Sequence, residues 1–131
     1  MKYSLILIFL FCCSIVYTQP AAHMQKEKKA NIIFECKTLD LGVVDSANGD
    51  VVVDFIFSNM GEIPLIIYDV KPSCGCIVPN WSKKPVEPGK KGKLKVKLNM
   101  GKAKGRIVKT IFIESNAEQD VILLKLKAEI H

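Results

Sequence analysis

Apolar and polar residues alternate along this chain in short runs, without the three-to-four spacing of an amphipathic helix. Leu94, Val96 and Leu98 stand opposite Lys93, Lys95 and Lys97, and Leu124, Leu126 and Ala128 stand opposite Lys125, Lys127 and Glu129. A period of two puts one face of a strand in a core and the other in water. Further apolar runs, NIIFEC, LDLGVV, VVVDFIFS, PLIIYDV and RIVKTIFIES, are bounded by Gly, Pro, Asn and Asp and are too short for convincing helices. Asn48-Gly49 suits a hairpin, Asn59-Met60-Gly61 a slightly longer one, and Pro88-Gly89 a turn with glycine at positive φ. About seven antiparallel strands at this turn spacing predict one all-β domain, an immunoglobulin-like β-sandwich over residues 31–131. Its first three strands, residues 32–44, 50–58 and 63–70, are expected to run as a meander.

The opening stretch has a different character. Lys2 precedes a continuous apolar run from Leu5 to Val16, followed by small and polar residues, the layout of a secretory signal peptide. The run is too short to span a bilayer. Cleavage after Thr18 is expected, giving a leader at 1–18 and a flexible polar linker at 19–30, and hence export to the periplasm or cell surface. Acylation at Cys12 or Cys13, which alone would bring the protein to a membrane, is the weaker reading because Phe11 is too large to precede a lipidated cysteine. With 49% hydrophobic and 24% charged residues, the composition is that of a globular protein rather than a disordered one.

The net charge of +6 raises the question of anionic partners. Lys83, Lys84, Lys90, Lys91, Lys93, Lys95 and Lys97 cluster in one stretch, but the interleaved aromatics of a nucleic-acid platform are missing. A solvated strand face whose lysines guard against edge pairing is the simpler reading, and no nucleic-acid partner is expected. Catalysis has little to stand on. The two histidines, His23 and His131, lie in the linker and at the last position, there is no nucleophile elbow or phosphate loop, and Asp54 and Asp69 sit on different strands. No enzymatic activity and no cofactor are expected. Trp81 is either a core plug or an exposed anchor for a partner.

Once the leader is removed, three cysteines remain: Cys36, Cys74 and Cys76. An oxidising compartment favours pairing, and an odd count leaves one over. In a meander Cys36 lies more than about 20 Å back along its strand from the other two, beyond disulfide reach, as a buried or edge thiol. A bridge from Cys74 to Cys76 closes a loop worth only about 1.6 kcal/mol in chain entropy. Gly75 would ease such a bridge by taking backbone angles closed to other residues. The pair can pack a sheet crossover, form a local bridge, act as a redox couple, or hold a soft monovalent copper. A closed zinc site lacks ligands. Cys74, Gly75, Cys76 and Trp81 are therefore the candidate binding residues, with no metal site expected unless Cys74 and Cys76 serve copper.

Taken in order, FIFSNMGEIPLII, SCGC, PVEPGKKGKLKVKL, GRIVKTIFIESN and LLKLKAEI resemble a bacterial secreted domain family of unknown function marked by an Asn-x-Gly turn, a Ser-Cys-Gly-Cys and a Pro-Gly turn. That family is similar to hydin-type and major-sperm-protein-like sandwiches. The resemblance spans roughly residues 32 to 130 and implies an exported β-sandwich; it supplies no reaction, since function belongs to sites rather than folds. Cys36 departs from its pattern. The function expected is that of a non-catalytic binding or structural module of the bacterial envelope, presenting the Pro72–Trp81 loop or a strand edge to a protein or glycan partner. Its rival is a thiol redox or copper-binding role at Cys74 and Cys76.

Overall fold

The structure, a computed structural model, describes residues 26–131, so the expected leader and the first part of the linker lie outside the described residues. Eight strands follow one another: β1 (Ile32–Phe34), β2 (Thr38–Val44), β3 (Val51–Asn59), β4 (Ile67–Pro72), β5 (Ile77–Trp81), β6 (Lys91–Leu98), β7 (Gly105–Ser115) and β8 (Val121–Ile130). They form two four-stranded sheets, ordered β1-β3-β6-β5 and β2-β8-β7-β4. The fold is an all-β sandwich.

Its core is the inward half of the alternation. Phe55, Leu94, Val96 and Leu98 from the first sheet and Ile111, Ile113, Leu124 and Leu126 from the second are all at most 1% exposed. The Phe34 and Phe57 rings pack at 5.4 Å between centroids. Phe57 lies opposite Gly92, and a Cβ on Gly92 would come within 2.5 Å of the Phe57 ring, so the glycine makes room for the aromatic.

Four expectations are corrected. The eighth strand is β5, whose Pro79 hid it as part of a loop; proline is tolerated there because β5 is an edge. Residues 32–44 form two strands, because the chain leaves one sheet after Phe34 and enters the other at Thr38. The meander is therefore absent. Neither Asn48-Gly49 nor Asn59-Met60-Gly61 closes a hairpin, since β2, β3 and β4 alternate between sheets; the first is a 3-10 turn over Ser46–Asn48 ended by Gly49 at φ 81°. Pairing is not wholly antiparallel either: β2 runs parallel to β8. The Pro88-Gly89 expectation holds, with Gly89 at φ 77° and the Lys90 N–H donating to Glu87 O at 3.0 Å.

Each of the four outer strands is blunted. β1 has three residues, β2 bulges between Asp40 and Val43 around Gly42 at φ 65°, β4 bulges between Ile67 and Asp69, and β5 carries Pro79. These are the devices by which natural sheets prevent edge-to-edge association. The lysine row of β6 is not among them, because β6 is a central strand; Lys91, Lys93 and Lys97 instead pair with Glu35, Asp54 and Asp50 at 2.8, 3.6 and 3.7 Å.

Candidate functional site

The register of β6 against its neighbours separates two ends of the sandwich. Near Lys91 lie Ser58 and Asn59; near Leu98 lie Val51 and Ile77. The eight residues of β6 hold these ends about 25 Å apart.

At the first end everything converges on Asn59, which is fully buried. Its side-chain amide donates to Ile63 O at 2.8 Å and Val86 O at 2.9 Å, and its Oδ1 accepts from the Gly61 N–H at 2.9 Å and the Asn31 N–H at 3.3 Å. Its main chain donates to Lys90 O and accepts from the Gly89 N–H, at 2.9 and 2.7 Å. One residue thus ties together the turn after β3, the Pro88-Gly89 turn and the start of the domain. Gly61 completes the knot by close approach: a Cβ there would fall on Lys29 O and within 2.5 Å of Asn31 N. The amino-terminal segment is docked from Lys29 onward, where Lys29 O accepts from the Glu62 N–H and Ala30 O from the Glu118 N–H, slightly before the expected boundary.

The other end holds the cysteines. Cys74 and Cys76 are joined by a disulfide, with Cα atoms 5.5 Å apart, in the short connection that carries the chain from β4 in the second sheet to β5 in the first. Main-chain bonds fix both sides of it: Ser73 N–H donates to Thr110 O at 2.8 Å, and Asn99 N–H donates to Cys76 O at 2.7 Å. Ser73 Oγ also accepts from the Thr110 N–H at 3.1 Å. Cys76 is 5% exposed and belongs to the core, whereas Cys74 is half-buried and Gly75 exposed. Gly75 has no positive φ, and a Cβ on it would meet nothing within 4 Å, so the expected backbone role for this glycine is not found. The turns at 45–50 and 99–104 flank the loop, linked by the Met100 N–H donating to Asp50 Oδ1 at 3.0 Å.

Trp81 does not join the cysteines. It ends β5 on the side away from Cys76, half-buried, its Nε1–H donating to Ile67 O at 3.3 Å and the Lys83 ammonium lying 3.7 Å from its ring centre. Both expectations for it were extremes; it is a partly covered edge residue whose cation and hydrogen bond are satisfied within the chain. Cys36, among the described residues, has no disulfide partner and is exposed in the crossing from β1 to β2 between the sheets, so of the two readings, buried or edge, the buried one is overturned. Of the residues that hold the loop, Ser73 entered the sequence reading only as part of the Ser-Cys-Gly-Cys motif, and Asn99 and Thr110 were not singled out. Only Asn99 carries a local signal, a short polar side chain that caps the following turn by accepting from the Gly101 N–H at 3.0 Å.

Among the described residues no group of three or more His, Cys, Asp or Glu is placed to hold a metal ion. With the two sulfurs bonded to each other, neither is a thiolate ligand in this state. One titration shift stands out on the strand leading to the loop: Lys71 is held above its ordinary value of 10.5, first by its hydrogen bond to Glu114 at 2.6 Å and then by the charges of Glu114 and Asp69.

Residues 32–130 match the profile of a family described as "Protein of unknown function (DUF1573)". The chain belongs to the DUF1573 family. Among solved structures, this DUF1573 chain is similar to a protein of unknown function from Porphyromonas gingivalis W83, at 19% identity and a TM-score of 0.68, over 76% of this chain and 46% of that one. It is also similar to the secreted serine protease VesC from Vibrio cholerae, at 16% identity and 0.58, over 76% of this chain and 23% of that one. The Vibrio cholerae VesB protease matches at 10% identity and 0.57, over 78% of this chain and 31% of that one. These likenesses concern the fold, and the DUF1573 chain spans less than half the length of each of these structures. No curated protein matches it.

Proposed function

We propose that the chain is an exported, non-catalytic binding module of the bacterial envelope that meets a protein or glycan partner with its disulfide end. The observation that carries this reading is the opposition of the two ends. The amino-terminal segment from Lys29 to Asn31 docks beside Asn59 and Gly61 and occupies that end. The Ser73–Cys76 connection and the turns at 45–50 and 99–104 lie about 25 Å away, at the end that the amino-terminal segment leaves uncovered.

The strand-edge alternative loses support from the blunted edges, each of which obstructs an added strand. Ile77–Trp81 belongs to a strand, which narrows the presented loop to Ser73–Cys76 and its neighbours. Two further points favour a module over an enzyme. Asp54 and Asp69 lie in different sheets, each beside a lysine, and the same fold makes up 23% of the chain of a secreted protease and so occurs as one part of a larger protein.

Photo-crosslinking side chains placed at Ala47 and Lys102 on the disulfide end, and at Glu62 and Glu118 on the opposite end, test the reading in the native host. Adducts from Ala47 and Lys102 with none from Glu62 and Glu118 are expected. Adducts confined to the Glu62 and Glu118 positions would reverse it.

A further inference from the structure

We propose that Cys74 and Cys76 form a reversible thiol–disulfide exchange site that accepts electrons from a dithiol, with Cys74 as the sulfur attacked and Cys76 as the one that leaves. The inference stands whichever partner the disulfide end binds.

Three features carry it. The first is topological. The bond encloses one residue, so opening it releases almost no chain, and although Cys76 borders the core, most of the buried side chains that hold the sheets together come from β3, β6, β7 and β8. The fold therefore survives reduction, which a redox cycle requires.

The second feature is that the two cysteines stay near each other without their bond, since a single residue separates them and main-chain hydrogen bonds hold the connection at both ends. Ser73 is fixed to Thr110 in the second sheet and Cys76 to Asn99 at the end of the first, through main-chain groups that do not involve either sulfur. Reduced cysteines held with Cα atoms near 5.5 Å remain within bridging distance and re-form the bond without a search. The third is asymmetry. Cys76 is 5% exposed and Cys74 half-buried beside exposed Ser73 and Gly75, so an incoming sulfur reaches Cys74.

The electron balance is simple. A thiolate of the dithiol attacks Sγ of Cys74, a mixed disulfide forms, and the Cys74–Cys76 bond breaks with its electron pair leaving on Sγ of Cys76, which takes a proton. The second thiolate of the same dithiol then attacks its neighbour's sulfur in the mixed disulfide and expels Cys74, which is protonated in turn. Two electrons and two protons pass to the protein, and the dithiol departs as a disulfide.

The test uses protein recovered from its host carrying Cys36→Ser, so that a single pair is observed. Graded mixtures of reduced and oxidised dithiothreitol, acid quenching and alkylation report the state of the pair by mass, with near-ultraviolet circular dichroism reporting the fold. Full and reversible opening with the fold signal retained is expected. A bond that opens only as the fold is lost, or that never opens in folded protein, overturns the proposal. A second measurement assigns the roles: with glutathione disulfide, Cys74 in a Cys76→Ser variant forms the adduct at least about tenfold faster than Cys76 in a Cys74→Ser variant. Equal rates, or a faster Cys76, overturn the assignment.

Discussion

The two ends of this sandwich use similar materials to opposite effect. Each has a turn, a glycine and a polar group that bonds main chain, yet around Asn59 every polar atom points inward and is shared among three segments, while around Cys76 the bonds hold a short connection from its two sides and leave Gly75 open to water. Asn59 is a buried hub whose loss disconnects the domain's start from its β5–β6 turn. The cysteine loop is a span whose loss leaves both supports standing. If the disulfide end is the binding end, as proposed, the two ends divide stability from interaction, since groups that secure the fold are seldom free to meet a partner.

The sharpest way to break this contrast is Asn59→Ala. It removes the side-chain partner of Ile63 O and of the Gly61 and Asn31 N–H groups, while Val86 O keeps the bond it accepts from the Leu65 N–H, and unfolding in urea should show a loss of about 3 kcal/mol or more with an unchanged slope. An effect below about 1 kcal/mol would mean that water replaces the amide and that the hub is not one. Next comes the same substitution at two glycines. Gly61→Ala pushes a methyl group into the main chain of residues 29–31 and should cost about 2 kcal/mol or more, whereas Gly75→Ala, which meets nothing, should stay within about 0.5 kcal/mol. The double change Cys74→Ala with Cys76→Ala, which buries no new polar group, should cost about 1–2 kcal/mol, mainly the loop-closure entropy of so small a ring, and leave the protein folded at 25 °C. A loss as large as that at Asn59 would move the disulfide among the supports of the fold.

The smallest effect belongs to Lys71, on the strand that approaches the loop. Its raised value means that the folded chain favours the charged ammonium. The resulting stability is fully present below pH 10.5 and fades as pH rises through the raised value. Exposure to solvent keeps it slight. Thermal unfolding of Lys71→Met should therefore fall slightly below that of the parent at neutral pH and converge with it at strongly alkaline pH.

Much of this could be read from residues alone, and the failures share one cause. The lysine alternation of β6 and β8 located both strands and their buried faces, because period two is a local property. Pro88-Gly89 was legible for the same reason. What local pattern does not encode is partnership. Nothing in LDLGVV says that it lies parallel to the last strand, and nothing around Cys36 says that the chain changes sheets there. The Asn59 turn was recognised as a turn but not as a hub, since its partners at Asn31 and Val86 are 28 and 27 residues away. At the cysteines the sequence offered four chemistries; the fold joined the two sulfurs and exposed one flank, and it removed the requirement for Gly75 by giving that residue ordinary backbone angles.

The order of strands in the second sheet governs how the chain acquires its shape during synthesis. β8 comes last in the domain yet sits in the interior, paired with β2 on one side and β7 on the other. Until residues 121–130 have left the ribosome, β2 has no neighbour and β7 lacks one of its two, so the half-made chain cannot close its core. Closure of the second sheet therefore waits for the last strand of the domain, and the long-range pairing of β2 with β8 places the fold among those whose contacts are distant in sequence.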